Sequence, residues 1–264
     1  MFISIANAIG VNRASGVKYD SDYQAVLNYA TTQGYTLPSA SQQIIQNQLV
    51  IDLKAGGVWN KLDVLYIFAN DGGGDFGTLN WKSPLANQAT LINTPTFTTN
   101  EGFIGNGTSS YIDTNFTPST DGVNYQLDNA SRYFYGFDAL NGARFEGNLD
   151  GINNMRYATF APGFSNLKIN SGANNIMSSA FQYNLTSEMK SIHRTSDTDI
   201  MLYNAEVGDS RTLTSVDLPT SNQTLFRVGT NYVSVGSKMY AMGSSLVTEN
   251  TDFVTAFDTY LNSL

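Results

Sequence analysis

Glutamate occurs only at Glu101, Glu146, Glu188, Glu206 and Glu249 in this 264-residue chain. None of them opens the E-x-D-x-x-E pattern by which jelly-roll glucanases set a proton donor and a nucleophile on one strand face. Glu146 and Asp150 stand four apart beside a glycine turn and read as solvated loop carboxylates. The single histidine, His193, lies close in sequence to Ser191 and Asp197, the residue types of a nucleophilic triad. It sits on an expected strand and the chain lacks a G-x-S-x-G elbow, so a hydrogen-bonded strand histidine is the reading. Asp71 and Asp75 flank three glycines and offer oxygens to calcium, but without the dense ligand spacing of a calcium loop they read as a turn. No other cofactor is expected. Binding chemistry is better represented. In Arg132-Tyr133-Phe134-Tyr135-Gly136-Phe137 the alternation puts Tyr133, Tyr135 and Phe137 on one strand face and Arg132 with Phe134 on the other. Tyrosine and tryptophan rings stack on the C–H faces of sugars, while Asn and Arg pair with hydroxyls. The candidate ligand-binding residues are therefore Tyr133, Tyr135, Asn141, Arg144 and Trp81.

The composition fits binding better than catalysis. Cysteine is absent, which excludes disulfide frameworks, thiol nucleophiles and cysteine zinc sites. A formal charge of −8 argues against a phosphate-backbone partner. Charged residues make up 14% of the chain, so Asn, Thr, Ser and Gln supply the polar surface, with 15 Tyr, 15 Phe and 23 Gly favouring strands and turns. Met1–Gly10 is apolar but short and lacks a basic start; neither a signal peptide nor a membrane span is expected.

Two regions must position these residues. The first, 1–57, reads as an arm followed by a helical hairpin that anchors or assembles the protein. Ile3 and Ile5 alternate as in a short strand. A helix over Asp22–Gln33 follows from Tyr23, Val26, Leu27 and Ala30, with Ser21 and Gln24 as a capping box and Gly34 as the stop. A second helix starts at a Ser39/Gln42 box, buries Ile45, Leu49 and Leu53 with Ile44 alongside, and ends at Gly56-Gly57. The second region, 58–264, opens with a buried strand at Leu62–Phe68 and continues in short runs between Asn/Gly turns. Such runs are 110–113, 131–137, 155–160, 188–194, 199–203, 224–229 and 238–242, with Gly102–Gly107 as a tight turn. A helix over Thr251–Leu261 closes the chain. The expected fold is mainly β, an antiparallel sandwich (jelly roll) with an N-terminal helical hairpin and a C-terminal helix.

Several stretches together resemble bacteriophage structural proteins that carry a laminin-G-like, concanavalin A-like sandwich. They are Leu53 to Asp71, Asn80-Trp81-Lys82, Pro95 to Thr98, Gly102 to Gly107, Ser110 to Phe116, and Tyr240 to Thr248 with the helix after it. The resemblance spans residues 20–264 and rests on structural motifs, so it transfers no catalytic residue. It implies a non-enzymatic virion component made in the host cytoplasm: a capsid decoration, head fibre, or tail fibre or spike subunit. It also implies repeated copies or a homotrimer, contacts with other virion proteins through the N-terminal region, and adhesion to host-surface glycan. The chain lacks the stalk of a long fibre, which favours a compact subunit. The alternatives are a glycan-active hydrolase or lyase with scattered carboxylates, and a free lectin-like module.

Overall fold

The computed structural model describes residues 18–137, 144–156, 166–172, 175–176 and 188–264. In chain order the elements are α1 (Ser21–Gln33), α2 (Ala40–Ala55), a 3-10 turn (Trp59–Lys61), β1 (Leu62–Ile67), α3 (Gly74–Gly77), β2 (Thr90–Ile92), β3 (Thr96–Thr98), β4 (Gly102–Ile104), β5 (Tyr111–Asp113), α4 (Pro118–Asp121), β6 (Ala130–Phe137), β7 (Arg144–Gly147), β8 (Asn154–Arg156), β9 (Asn166–Lys168), β10 (Asn175–Ile176), β11 (Glu188–Arg194), β12 (Asp199–Asn204), β13 (Val207–Thr212), β14 (Thr224–Leu225), β15 (Arg227–Val228), β16 (Asn231–Tyr232), β17 (Gly236–Gly243) and α5 (Asn250–Asn262). The expected strand at Ile3 and Ile5 lies outside the described residues.

Two antiparallel sheets stack face to face, as the sequence leads one to expect. The first runs β13-β12-β11-β6-β17-β4-β3, with β1 also on β17; the second runs β10-β9-β8-β7-β14-β5-β2. Their facing sides enclose one core, with Phe134, Ile192, Leu202 and Tyr240 from the first sheet against Ile112, Phe145, Leu167 and Leu225 from the second. A second core lies on the outer side of the first sheet. There Tyr23, Leu49 and Leu53 of the hairpin and Phe253 and Phe257 of α5 pack on Leu65, Tyr133, Met239 and Ala241. The first sheet is thus covered on both sides, and every residue of β6 is buried. No helix among the described residues is long and apolar enough to cross a membrane.

Local chemistry explains the element ends. The α1 cap is Asp20 rather than Ser21: its carboxylate accepts the Asp22 N–H and pairs with Lys54 at 2.6 Å. An anion at the positive end of a helix outcompetes a neutral hydroxyl. Gly34 ends α1 in the left-handed conformation, φ 72°. Ser39 caps α2 through the Gln42 N–H, but the Gln42 side chain turns away to donate to Asn100 and accept from the Asp71 amide. Gln42 and Gln46 are buried on the face expected to be purely apolar, and Ile44 is 51% exposed. Gln46 accepts the Tyr23 hydroxyl at 2.7 Å and donates to Tyr260, so hydrogen bonds tie α1, α2 and α5 together. Gly102 opens a strand rather than a turn: at φ 99° a Cβ there would stand 2.2 Å from the Ser237 carbonyl of β17, so only glycine lets the strands pair.

Candidate binding face

Among the described residues, the two cores lie between the sheets and on the outer side of the first sheet, and neither lies on the outer side of the second. Leu91, Ile112 and Leu225 are cross-strand partners on β2, β5 and β14, packed inward. Alternation therefore sets Thr90, Ile92, Tyr111, Asp113 and Thr224 on the other face, where Thr224 is buried and the half-buried Tyr111 ring also packs against the edge of the core. In an unbroken strand Phe226 would follow Thr224 onto the outer face and Arg227 would point into the core. The chain does the opposite. Phe226 adopts φ 68°, a conformation that costs a bulky residue about 1–3 kcal/mol. The reversal carries its ring into the inter-sheet core, where it is fully buried. Its amide donates to the Phe145 carbonyl at 2.7 Å and its carbonyl accepts from the Val233 amide at 3.0 Å. Gly105 leaves the room this needs, since a Cβ there would lie 2.8 Å from the Phe226 Cβ. The same kink swings Arg227 outward, as bulges re-aim side chains elsewhere.

Arg227 arrives over Tyr111, with its guanidinium carbon 4.5 Å from that ring's centroid and 5.8 Å from the Tyr232 centroid. The two rings stand 6.2 Å apart, tilted by 53°. Tyr232 is the cross-strand partner of Arg227 in the β15–β16 hairpin, which turns at Gly229 with φ 61°. The Arg227 Nε donates to the Gly229 carbonyl at 2.9 Å, fixing the plane of the guanidinium. In a chain of net charge −8, no carboxylate among the described residues forms an ion pair with it. All three side chains are half-buried. The result is a rigid aromatic platform beside a cation that has terminal N–H donors to offer.

The residues singled out from sequence lie elsewhere. Tyr133 and Trp81 are fully buried and Tyr135 is 9% exposed, all in the core between the first sheet and the helices. Tyr133 stacks on Phe253 at 4.5 Å and Tyr135 on Phe257 at 5.6 Å; Trp81 packs on Tyr23 and Phe76. These rings have no face left for a sugar, because the helices occupy the side that alternation left open. Asn141 and the Arg144 side chain lie outside the described residues. The Asp71 carboxylate accepts the Ser39 amide at 2.9 Å and Asp75 is exposed on the first turn of α3. Among the described residues no three metal-ligating side chains come together.

Glu146 is not a loop carboxylate. It is fully buried between the sheets, ion-paired with Arg132 and accepting from Gln223 and Tyr240. Asp150 is exposed and accepts the Thr220 and Ser221 amides, so the two do not form an acid/base pair.

His193 is no relay. The Leu246 amide donates to its Nδ1 at 3.1 Å, which leaves the proton on Nε2, 2.9 Å from Ser191 Oγ. Ser191 in turn donates toward Asn250 at 3.4 Å. A triad needs a carboxylate where the Leu246 amide sits and a ring nitrogen that accepts from the serine. Burial pushes the imidazole pKa down from 6.5 to about 3. The folded pKa therefore lies below the unfolded one. The contribution of this neutral imidazole is fully present above pH 6.5 and is lost progressively as pH falls toward 3, because in that window only the unfolded chain takes the proton. Urea unfolding across that window should show a steeper loss in the wild type than in His193→Gln; parallel profiles would contradict this.

No protein-family model and no curated protein matches the chain. Among solved structures it is similar to the botulinum neurotoxin serotype D/C binding domain, with TM-score 0.51 and 9% identity over 76% of this chain and 53% of that one. It is also similar to the botulinum neurotoxin DC binding domain in complex with SialylT, with TM-score 0.49 and 9% identity over 76% and 52%. The likeness is one of fold. This chain spans about half the length of the solved domains it matches. The chain shares the β-sandwich fold of these domains.

The sequence contained one signal for the Tyr111 platform. Arg227 and Tyr232 flank a short Gly229-Thr230 turn at hairpin-pairing positions. What hid it was the expected continuous strand through 224–229, which assigns Arg227 to the wrong face.

Proposed function

We propose that this chain is a non-enzymatic binding subunit of a bacteriophage particle (capsid decoration, head fibre, or tail fibre or spike) that meets host-surface glycan through Tyr111, Arg227 and Tyr232. The observation that carries the binding reading is the clamped Arg227 on the outer side of the second sheet: backbone strain at Phe226 is spent on presenting a cation between two phenol rings. Sugar C–H faces stack on such rings and hydroxyls or carboxylates accept from the guanidinium. The particle role and its location rest on the resemblance of residues 20–264 to phage structural proteins. The sandwich fold shared with toxin binding domains supports a binding rather than a catalytic role.

One experiment with paired readouts tests this reading. Immunogold labelling of purified particles is expected to decorate head or tail at regular positions. On a glycan array, Tyr111→Ala and Arg227→Ala should each weaken the wild-type signal by about 1–3 kcal/mol, the cost of a lost binding anchor. Unlabelled particles overturn the virion role, and unchanged array binding by the folded variants overturns the site.

A further inference from the structure

Strand β13, Val207–Thr212, is the outer edge of the first sheet, and among the described residues nothing pairs with its far side. Val207, Gly208, Ser210 and Thr212 are exposed, Val207 to 67%. Its hydrogen-bonding parity follows from the hairpin with β12. The Leu213 amide donates to the Thr198 carbonyl at 2.7 Å, just beyond the Asp199↔Thr212 partners. In an antiparallel ladder bonded and non-bonded pairs alternate, so Leu213, Arg211, Asp209 and Val207 spend their backbone groups on β12. Gly208, Ser210 and Thr212 therefore direct N–H and C=O outward, onto an edge that no described strand occupies.

Charges on an edge strand ordinarily blunt strand addition, because they meet their like. Here they do not. Asp209 and Arg211 sit two apart on one face, joined by an ion pair at 2.5 Å. A second β13 laid antiparallel about a twofold axis through Ser210 brings Ser210 opposite Ser210, and Gly208 opposite Thr212. These are the residues whose backbone groups point outward. The same register sets Asp209 of each copy opposite Arg211 of the other, at the closer, non-hydrogen-bonded spacing where side chains meet. It also lays the exposed Val207 opposite Leu213. A twofold through Asp209 or Arg211 would keep the same backbone parity, pairing Gly208 with Ser210 or Ser210 with Thr212, but would oppose like charges. Backbone parity confines the pairing to Gly208, Ser210 and Thr212, and charge then selects the register centred on Ser210.

We infer that β13 is a self-complementary docking edge whose occupant is a second copy of this chain, joining two first sheets into one continuous sheet across a twofold axis. Such an interface is isologous and closes on itself. It is independent of the Tyr111 face and holds whether or not that face binds glycan.

The test is sedimentation of the full chain with charge-reversed variants. Wild type should sediment at twice the chain mass at micromolar concentrations. Asp209→Arg places arginine opposite arginine and Arg211→Asp places aspartate opposite aspartate, so each alone should be monomeric. Mixing the two variants should restore a dimer, since each then offers the charge the other lacks, and so should the double exchange within one chain. Both positions lie on the outermost strand and are partly exposed, and circular dichroism checks that each variant folds. A monomeric wild type overturns the inference. A dimer that survives either single reversal overturns the register, and with it the docking edge as drawn.

Discussion

Replacing Glu146 with alanine is expected to destabilise the fold by about 3–5 kcal/mol, the cost of leaving one partner of a buried ion pair alone. Arg132 and Glu146 are both fully buried between the sheets. Arg132 also donates to the Lys168 carbonyl of β9, and Glu146 accepts from Gln223 and from Tyr240 of β17. The carboxylate therefore links the two sheets through hydrogen bonds as well as charge, and removing it strands a guanidinium where water does not reach. Urea unfolding of Glu146→Ala measures the loss. Replacing both members, Arg132→Met with Glu146→Leu, should recover most of it, since no charge then remains unpaired. The double replacement also separates structure from chemistry. If it folded and a glycan-cleaving activity present in the wild type disappeared, the carboxylate would be catalytic and the assignment to the core wrong.

Tyr133→Ala is expected to cost a comparable amount, about 3–5 kcal/mol, as for other large aromatic side chains deleted from a packed core. The ring lies against Phe253 at 4.5 Å and edge-on to His193 at 5.2 Å, and its hydroxyl donates to Asn250 at 3.1 Å. Truncation would open a cavity under α5 and remove a donor from a buried amide oxygen. Tyr133→Phe keeps the ring and should lose only about 0.5–1.5 kcal/mol, the net value of one hydrogen bond. Thermal unfolding of the two variants distinguishes the contributions. A Tyr133→Ala protein of wild-type stability would mean that the helices do not rest on β6 as described.

The contrast between Tyr133 and Arg227 shows where sequence reading succeeded. Both sit in strands, where period-two alternation would assign each a face. For β6 the alternation itself was right: Tyr133 and Tyr135 do share a face opposite Arg132 and Phe134. The sequence did not say that helices from both ends of the chain cover that face. A strand buried on both sides and one with an open aromatic face carry the same residues until the layers are assembled. For the run expected at 224–229, a left-handed Phe226 inverts the alternation before Arg227. No propensity announces a phenylalanine at positive φ; the burial of its ring and two long-range backbone bonds hold it there. Likewise Glu146 and Asp150 looked alike as acids near a glycine. Their different fates depend on Arg132, Gln223 and Tyr240, which are distant in the chain.

By itself, the sequence determined what local physics controls. Apolar residues at helical spacing, a Ser39 cap and a Gly34 stop specify the helices, since those signals act within a few residues. Short β-rich runs between turn residues specify a sandwich, and the absence of cysteine excludes thiol chemistry. Only the tertiary structure decided which strand faces are covered, which charges are buried in pairs and which cation is left at the surface. Those outcomes depend on contacts between residues far apart in sequence, where burial outweighs local preference.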